Sequence, residues 1–130
     1  MTGKIVHFEI PFDDGDRARE FYSDVFGWQV MPMPEMDYTI VSTGPSDPQT
    51  GPTEPGFING GMFQREDGFT GPVVVIDVPD IDAALASVEA SGGTVGRGKE
   101  AVGEMGFAAY FTDTEGNLVG LWETARSEGS

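Results

Sequence analysis

The chain has 130 residues, room for one ordinary domain, with 22 acidic side chains against 7 basic ones, a formal net charge of −15 and no cysteine. That balance argues against a phosphate-binding nucleic-acid surface, because the backbone of the partner would be repelled. The missing cysteine excludes disulfides, thiolate metal sites and a cysteine nucleophile. No apolar run reaches the roughly 18 residues a bilayer span needs, and "MTGKIVHFEI" lacks the layout of a signal peptide. The expectation is a cytoplasmic, acidic protein whose charge serves solubility or draws a cationic or polar ligand.

The first predicted strand alternates. Val6, Phe8 and Ile10 share one face; Ile5, His7 and Glu9 share the other. His7 is the only histidine of the chain. Asp14 or Asp16 is placed to cap the helix that follows, because a carboxylate accepts from the orphan amides of a first turn. Ala18, Phe21, Tyr22, Val25 and Phe26 recur at three-four spacing and predict the buried stripe of that helix, and Gly27 predicts a left-handed cap. Strand candidates follow at "WQVM", "YTIVST" and "INGGMFQ". Between the last two, residues 44–56 ("GPSDPQTGPTEPG") have no periodicity and read as a flexible loop, either a lid or surface slack.

The pattern then repeats. A shift of 66 residues lays Phe8 on Val74, Ile10 on Ile76, Asp14 on Asp80, Asp16 on Asp82 and Gly27 on Gly93. Asp80 or Asp82 caps the second helix, Ile81, Ala84, Leu85 and Val88 form its stripe, and "SGG" at 91–93 stops it. Strand candidates "TVG", "FAAYFT" and "LVGLWET" follow, the last two joined by a hairpin turn at "DTEGN" with Gly116 free to take positive φ. The chain therefore reads as two βαβββ modules, about 1–66 and 72–125, in one α+β domain over 1–130. The tail from Arg126 to Ser130 is expected to fray.

"VHFEIPFDDGDRAREFYSDVFGW", "INGGM", "IDVPDIDAALA" and "DTEGNLVGLWE" together resemble the glyoxalase / bleomycin-resistance / extradiol-dioxygenase superfamily, the vicinal oxygen chelate proteins. The resemblance covers nearly the whole chain. It implies paired modules curling into an eight-stranded, open, barrel-like mixed sheet with a ligand cleft, and homodimers. It does not fix the activity, because this fold hosts lyases, dioxygenases, epimerases, thiol transferases and drug-binding proteins.

The resemblance also implies four metal-ligand positions, on the first and last strand of each module. They fall on His7, on Gly60 or Gly61, on Val73 and on Gly120. Three of the four carry no side-chain donor, and His7 is the only remaining metal candidate. Glu9 lies on the same side as His7 but one pleat repeat, about 6.6 Å, along the strand. Glu123 has the opposite strand phase from Gly120. The predicted metal and cofactor content is therefore none, and no catalytic set stands out, although a Glu9 general base partnered by His7 is conceivable.

In place of ligands, Gly60, Gly61 and Gly120 would leave flat strand surface. Met62, Leu118 and Trp122, with Tyr38, Phe107 and Tyr110 on neighbouring strands, would wall it for a planar apolar guest. His7 and Glu9 would read the guest's polar groups. The leading expectation is a homodimeric, metal-independent, non-enzymatic binding protein. It would sequester an aromatic natural product, as in antibiotic resistance, with no nucleic-acid or membrane partner. The alternative is a metal-dependent lyase, isomerase or dioxygenase of the same superfamily.

Overall fold

A computed structural model describes residues 2–48, 50–66 and 68–125; the predicted tail from Arg126 lies outside them. The element order is β1 (Lys4–Phe12), α1 (Gly15–Phe26), β2 (Gln29–Met33), a 3-10 turn (Pro34–Met36), β3 (Tyr38–Ser42), β4 (Ser46–Asp47), β5 (Gly51–Pro52), β6 (Asn59–Gln64), β7 (Val73–Asp77), α2 (Ile81–Ala90), β8 (Thr94–Val102), β9 (Gly106–Thr112) and β10 (Leu118–Thr124). The fold is α+β, built from two βαβββ modules with mixed strand pairing. The chain divides into two units, one spanning residues 7–73 and the other residues 74–125 together with the N-terminal residues up to Val6.

In the first module β6 is the hub. It runs parallel to β1, with Phe8 opposite Gly60, Glu9 opposite Gly61 and Ile10 opposite Met62. It runs antiparallel to β3, with Tyr38 opposite Phe63, Thr39 opposite Met62 and Val41 opposite Gly60. β2 adds to β3. Asp14 caps α1 by accepting from the Arg17 amide at 3.1 Å, and Gly27 closes the helix at φ 72°. Asp16, the other cap candidate, pairs with Arg19 at 2.8 Å instead.

Of the predicted stripe of α1, Ala18 and Tyr22 are half-buried, and the other three are not. Phe21, Val25 and Phe26 are each more than half exposed, and no α1 residue is fully buried. The inward row is Arg19 and Tyr22. Arg19 donates to the Thr39 hydroxyl at 3.1 Å and stands 5.8 Å above the Phe12 ring. Tyr22 stacks on Trp28 at 4.9 Å and 6°, and Trp28 in turn meets Phe8. Two large polar-tipped side chains thus take the sheet-facing row, and Phe21 and Val25 are rolled outward.

The segment 44–56 holds two short strands among its described residues. β4 and β5 pair as a two-residue ladder. Asn59 donates from Nδ2 to Ser46 Oγ at 2.7 Å, and the Thr53 amide donates to the Pro45 carbonyl at 2.9 Å.

In the second module β10 runs parallel to β7 and antiparallel to β9, and β9 pairs with β8. Asp80 caps α2, accepting from the Ala83 amide, and Glu123 Oε1 on β10 accepts from the Ile81 amide at 2.9 Å. Ile81, Ala84 and Leu85 bury against Val78, Ala109 and Leu121, with Ile76, Val95, Phe107 and Phe111 packed around them. The "DTEGN" hairpin forms as read. Asp113 accepts from the Glu115 and Asn117 amides, with Gly116 at φ 84°. These bonds to the charged form hold the Asp113 carboxyl below the usual carboxylate value.

Candidate functional site

Each module has a face covered by its helix and an opposite face, termed open because the helix does not cover it. In the first module the helix-covered face carries Phe8, Ile10, Thr39, Val41, Gly60 and Met62, by the register of β1, β3 and β6. The open face carries His7, Glu9, Tyr38, Gly61 and Phe63. Gly60 and Met62 are therefore corrected out of the ligand-facing set. Met62 is fully buried, and the side a Cβ at Gly60 would project into holds the Phe8 ring.

On the open face three polar side chains converge. His7 Nε2 lies 3.0 Å from the Tyr38 hydroxyl, and that hydroxyl lies 3.2 Å from Glu9 Oε2. The phenol donates to Glu9 Oε2, which leaves the phenol oxygen to accept from His7 Nε2. This network assigns His7 the tautomer with its proton on Nε2. Burial holds His7 below the ordinary imidazole value, so the ring is neutral at neutral pH. Glu9 is 8% exposed. A carboxylate taken that far out of water requires donors, and the phenol is one of them. Tyr38 is packed from behind by Phe63, stacked at 6.4 Å and 9°, which in turn meets Phe69 edge-on at 4.8 Å.

Gly61 explains how the phenol reaches that position. A Cβ there would overlap the Tyr38 hydroxyl and ring. The bare backbone is what leaves room for Tyr38.

In the second module the open face carries Val75, Ala108, Tyr110, Leu118, Gly120 and Trp122. A Cβ at Gly120 would come within 3.1 Å of Val75 and 3.3 Å of Tyr110, so the strand is bare because its neighbours fill the space. Phe107 does not belong here. It faces α2, with Lys99 Nζ 4.4 Å above its ring. Glu123 faces α2 as its phase predicts, and Lys99 lies 3.4 Å from it.

Arg97 was not singled out from the sequence. Val95 pairs with Phe111 on the core side, and strict alternation would turn Arg97 the same way. One extra residue in β8 between them pairs Arg97 with Tyr110 instead. Arg97 thereby moves to the open face, 5.8 Å above the Tyr110 ring. The glycines on either side of it, in "GRG", are the signal that could have marked the bulge.

The metal expected of the resemblance does not fit these residues. Val73 is buried and apolar, and Gly61 and Gly120 offer no side chain. His7 and Glu9 are both engaged by one phenol. Among the described residues no three of His, Asp and Glu converge as a ligand group. A divalent ion of this kind needs several donors at about 2.0–2.2 Å.

Comparison with known proteins agrees on the family. The family model for the bleomycin-resistance-protein-like N-terminal region matches residues 4–44. A lactoylglutathione lyase from Haemophilus influenzae is 33% identical over 97 residues, covering 72% of each chain. A probable lactoylglutathione lyase from Vibrio parahaemolyticus is 28% identical over 124 residues, covering 92% of this chain and 90% of that one. A methylmalonyl-CoA epimerase from Streptomyces coelicolor superposes with a TM-score of 0.63 at 21% identity, over 97% of this chain and all of the other. The chain belongs to the glyoxalase / bleomycin-resistance / vicinal oxygen chelate superfamily. Among the described residues no helix is long and apolar enough to cross a membrane.

These relatives overturn the expectation of a non-enzymatic, sequestering protein. The Haemophilus and Vibrio relatives match across most of the chain and are named as lyases. The physical source of the error is visible in the site. The missing metal ligands point away from catalysis, whereas the same face brings a buried carboxylate, a phenol and an imidazole together.

Proposed function

We propose that this protein is a lyase or isomerase of the superfamily that moves a proton on a carbon next to a carbonyl, with a 2-hydroxyacyl thioester or its hemithioacetal as substrate. The lactoylglutathione lyase relatives support the substrate class. The observation that carries the reading is the 8%-exposed Glu9 carboxylate, held on the open face by the Tyr38 hydroxyl. A desolvated, oriented carboxylate is the group a carbon acid requires as base.

The step balances without a redox partner. Glu9 takes the proton from the hydroxyl-bearing carbon, and the C–H electron pair forms a carbon–carbon double bond as the carbonyl pair moves onto oxygen. Return of the proton to the neighbouring carbon, with the hydroxyl proton moved to the enolate oxygen, completes the isomerisation. His7, neutral and protonated on Nε2, keeps the phenol oxygen occupied so that the phenol's own proton stays directed at Glu9.

The test is proton NMR in D2O with lactoylglutathione, and with the methylglyoxal–glutathione hemithioacetal, with and without added Ni2+ or Zn2+. The expected result is deuterium at the hydroxyl-bearing carbon or conversion between the two compounds. Glu9→Gln should slow it by roughly 10²–10⁴-fold. No exchange and no conversion in either compound would remove the proposal.

A further inference from the structure

The geometry points to Tyr38 as the group that stands where a metal-binding site would otherwise form, making the His7–Tyr38–Glu9 cluster a proton-transfer centre that works without a divalent cation. The inference rests on the proton-transfer reading for its activity arm and on structure alone for its metal arm. His7, Glu9 and Gly61 share one face of β1 and β6, with Glu9 directly opposite Gly61. A donor side chain at 61 would complete a three-donor set with His7 and Glu9. The space such a side chain would enter is filled by the phenol.

The phenol oxygen sits between the two remaining donors, 3.0 Å from His7 Nε2 and 3.2 Å from Glu9 Oε2. An ion bound by both would need to lie about 2.0–2.2 Å from each, in the region that oxygen occupies. The Nε2 lone pair a metal would use is also absent, since that nitrogen carries the proton given to Tyr38. Metal binding here therefore requires the phenol to leave, the imidazole to change tautomer and a third donor to appear. Phe63 stacked behind the ring and Phe69 behind Phe63 oppose the first of these.

Tyr38 is a positioning residue in this scheme. Its hydroxyl aims the Glu9 carboxylate and occupies the place an ion would need, and its ring fills the space a donor at 61 would enter. The two roles separate by substitution. Tyr38→Phe keeps the ring and removes the hydroxyl. It should lower kcat with KM little changed and leave metal binding weak and non-stoichiometric, because the third donor is still missing. Tyr38→Ala combined with Gly61→Glu removes the ring and adds a donor, and should bind Ni2+ more tightly than the parent by roughly tenfold or more.

The experiment titrates Ni2+ and Zn2+ into chelator-treated full-length protein by calorimetry, for the parent, Tyr38→Phe and the double variant. The D2O exchange assay runs in parallel, with and without chelator. The inference expects weak, non-stoichiometric binding by the parent and exchange that survives chelation. Stoichiometric tight metal in the parent, lost on His7→Gln, overturns it, and so does exchange that chelator abolishes and Ni2+ or Zn2+ restores. If the parent shows no exchange under any condition, the proton-transfer reading fails and the titration still decides the metal claim. If the double variant does not fold, the parent and Tyr38→Phe titrations, with the His7→Gln control, decide it.

Discussion

The two modules share a strand–helix–strand plan and differ in what their helices and open faces do. α2 drives Ile81, Ala84 and Leu85 into a closed apolar cluster with Leu121 and Ala109. α1 buries no residue fully and meets its sheet through Arg19 and Tyr22. On the open faces, the first module presents His7, Tyr38 and Glu9, and the second presents Val75, Gly120 and Tyr110. The two modules thus divide the work between them. One copy holds the apolar cluster under its helix, and the other carries polar groups that are costly to desolvate and useful for chemistry.

The largest effect that would test this contrast is core truncation in the second module. Ile81→Ala should cost about 2–5 kcal/mol in urea unfolding, because a fully buried side chain leaves a cavity. A loss under 1 kcal/mol would mean the cluster around α2 is not the chief store of stability. Next come the caps. Asp80→Ala should cost about 1 kcal/mol of global stability. Asp14→Ala should instead appear as faster amide exchange within α1, with little change in Tm, since that helix contributes no buried side chain. Equal Tm losses at both caps would erase the distinction.

Acidification should act on the first module. His7 has a lowered pKa in the fold, so the unfolded chain takes up the proton first, and stability falls as pH drops from about 6.5 toward the lowered value. Above that window the contribution is fully present. His7→Gln should flatten the part of the stability–pH curve just below about pH 6.5, and a curve unchanged by that substitution would show that burial of His7 is not what drives it. The smallest effect belongs to the outer row of α1. Phe21→Ser and Val25→Thr should each lie within about 0.5 kcal/mol of the parent, because both side chains are more than half exposed.

Much of the plan was legible in the sequence because it rests on local chemistry. The 66-residue shift lays Asp14 on Asp80, and the structure uses both as caps. The sequence left Asp16 and Asp82 as rivals because first-turn acids serve the same helix end; they turned out to lie near Arg19 and Lys99. Other features depend on distant partners. Three-four spacing places Tyr22 inward on α1 but cannot say that Arg19, with Thr39 to meet, joins it while Phe21, Val25 and Phe26 turn out. In "INGGM" the two adjacent glycines conceal which of them shares a face with Glu9. Tyr38 reaches His7 across 31 positions and Glu9 across 29, so the cluster exists only after β1, β6 and β3 have paired. Phe107 and Arg97 were misjudged or missed because side-chain direction was settled by pairing partners and by an irregularity in β8 rather than by composition.

That irregularity has a consequence for how the protein can change. Upstream of it, Val95 is committed to the apolar cluster; at Arg97 the strand has already switched sides. The stretch between works as a swivel joint. Inserting or deleting one residue at 96–98 would reverse the outward-looking lettering of the remainder of β8 while leaving the Val95 foothold in place, giving evolution a dial for the second module's exterior that does not disturb its foundation.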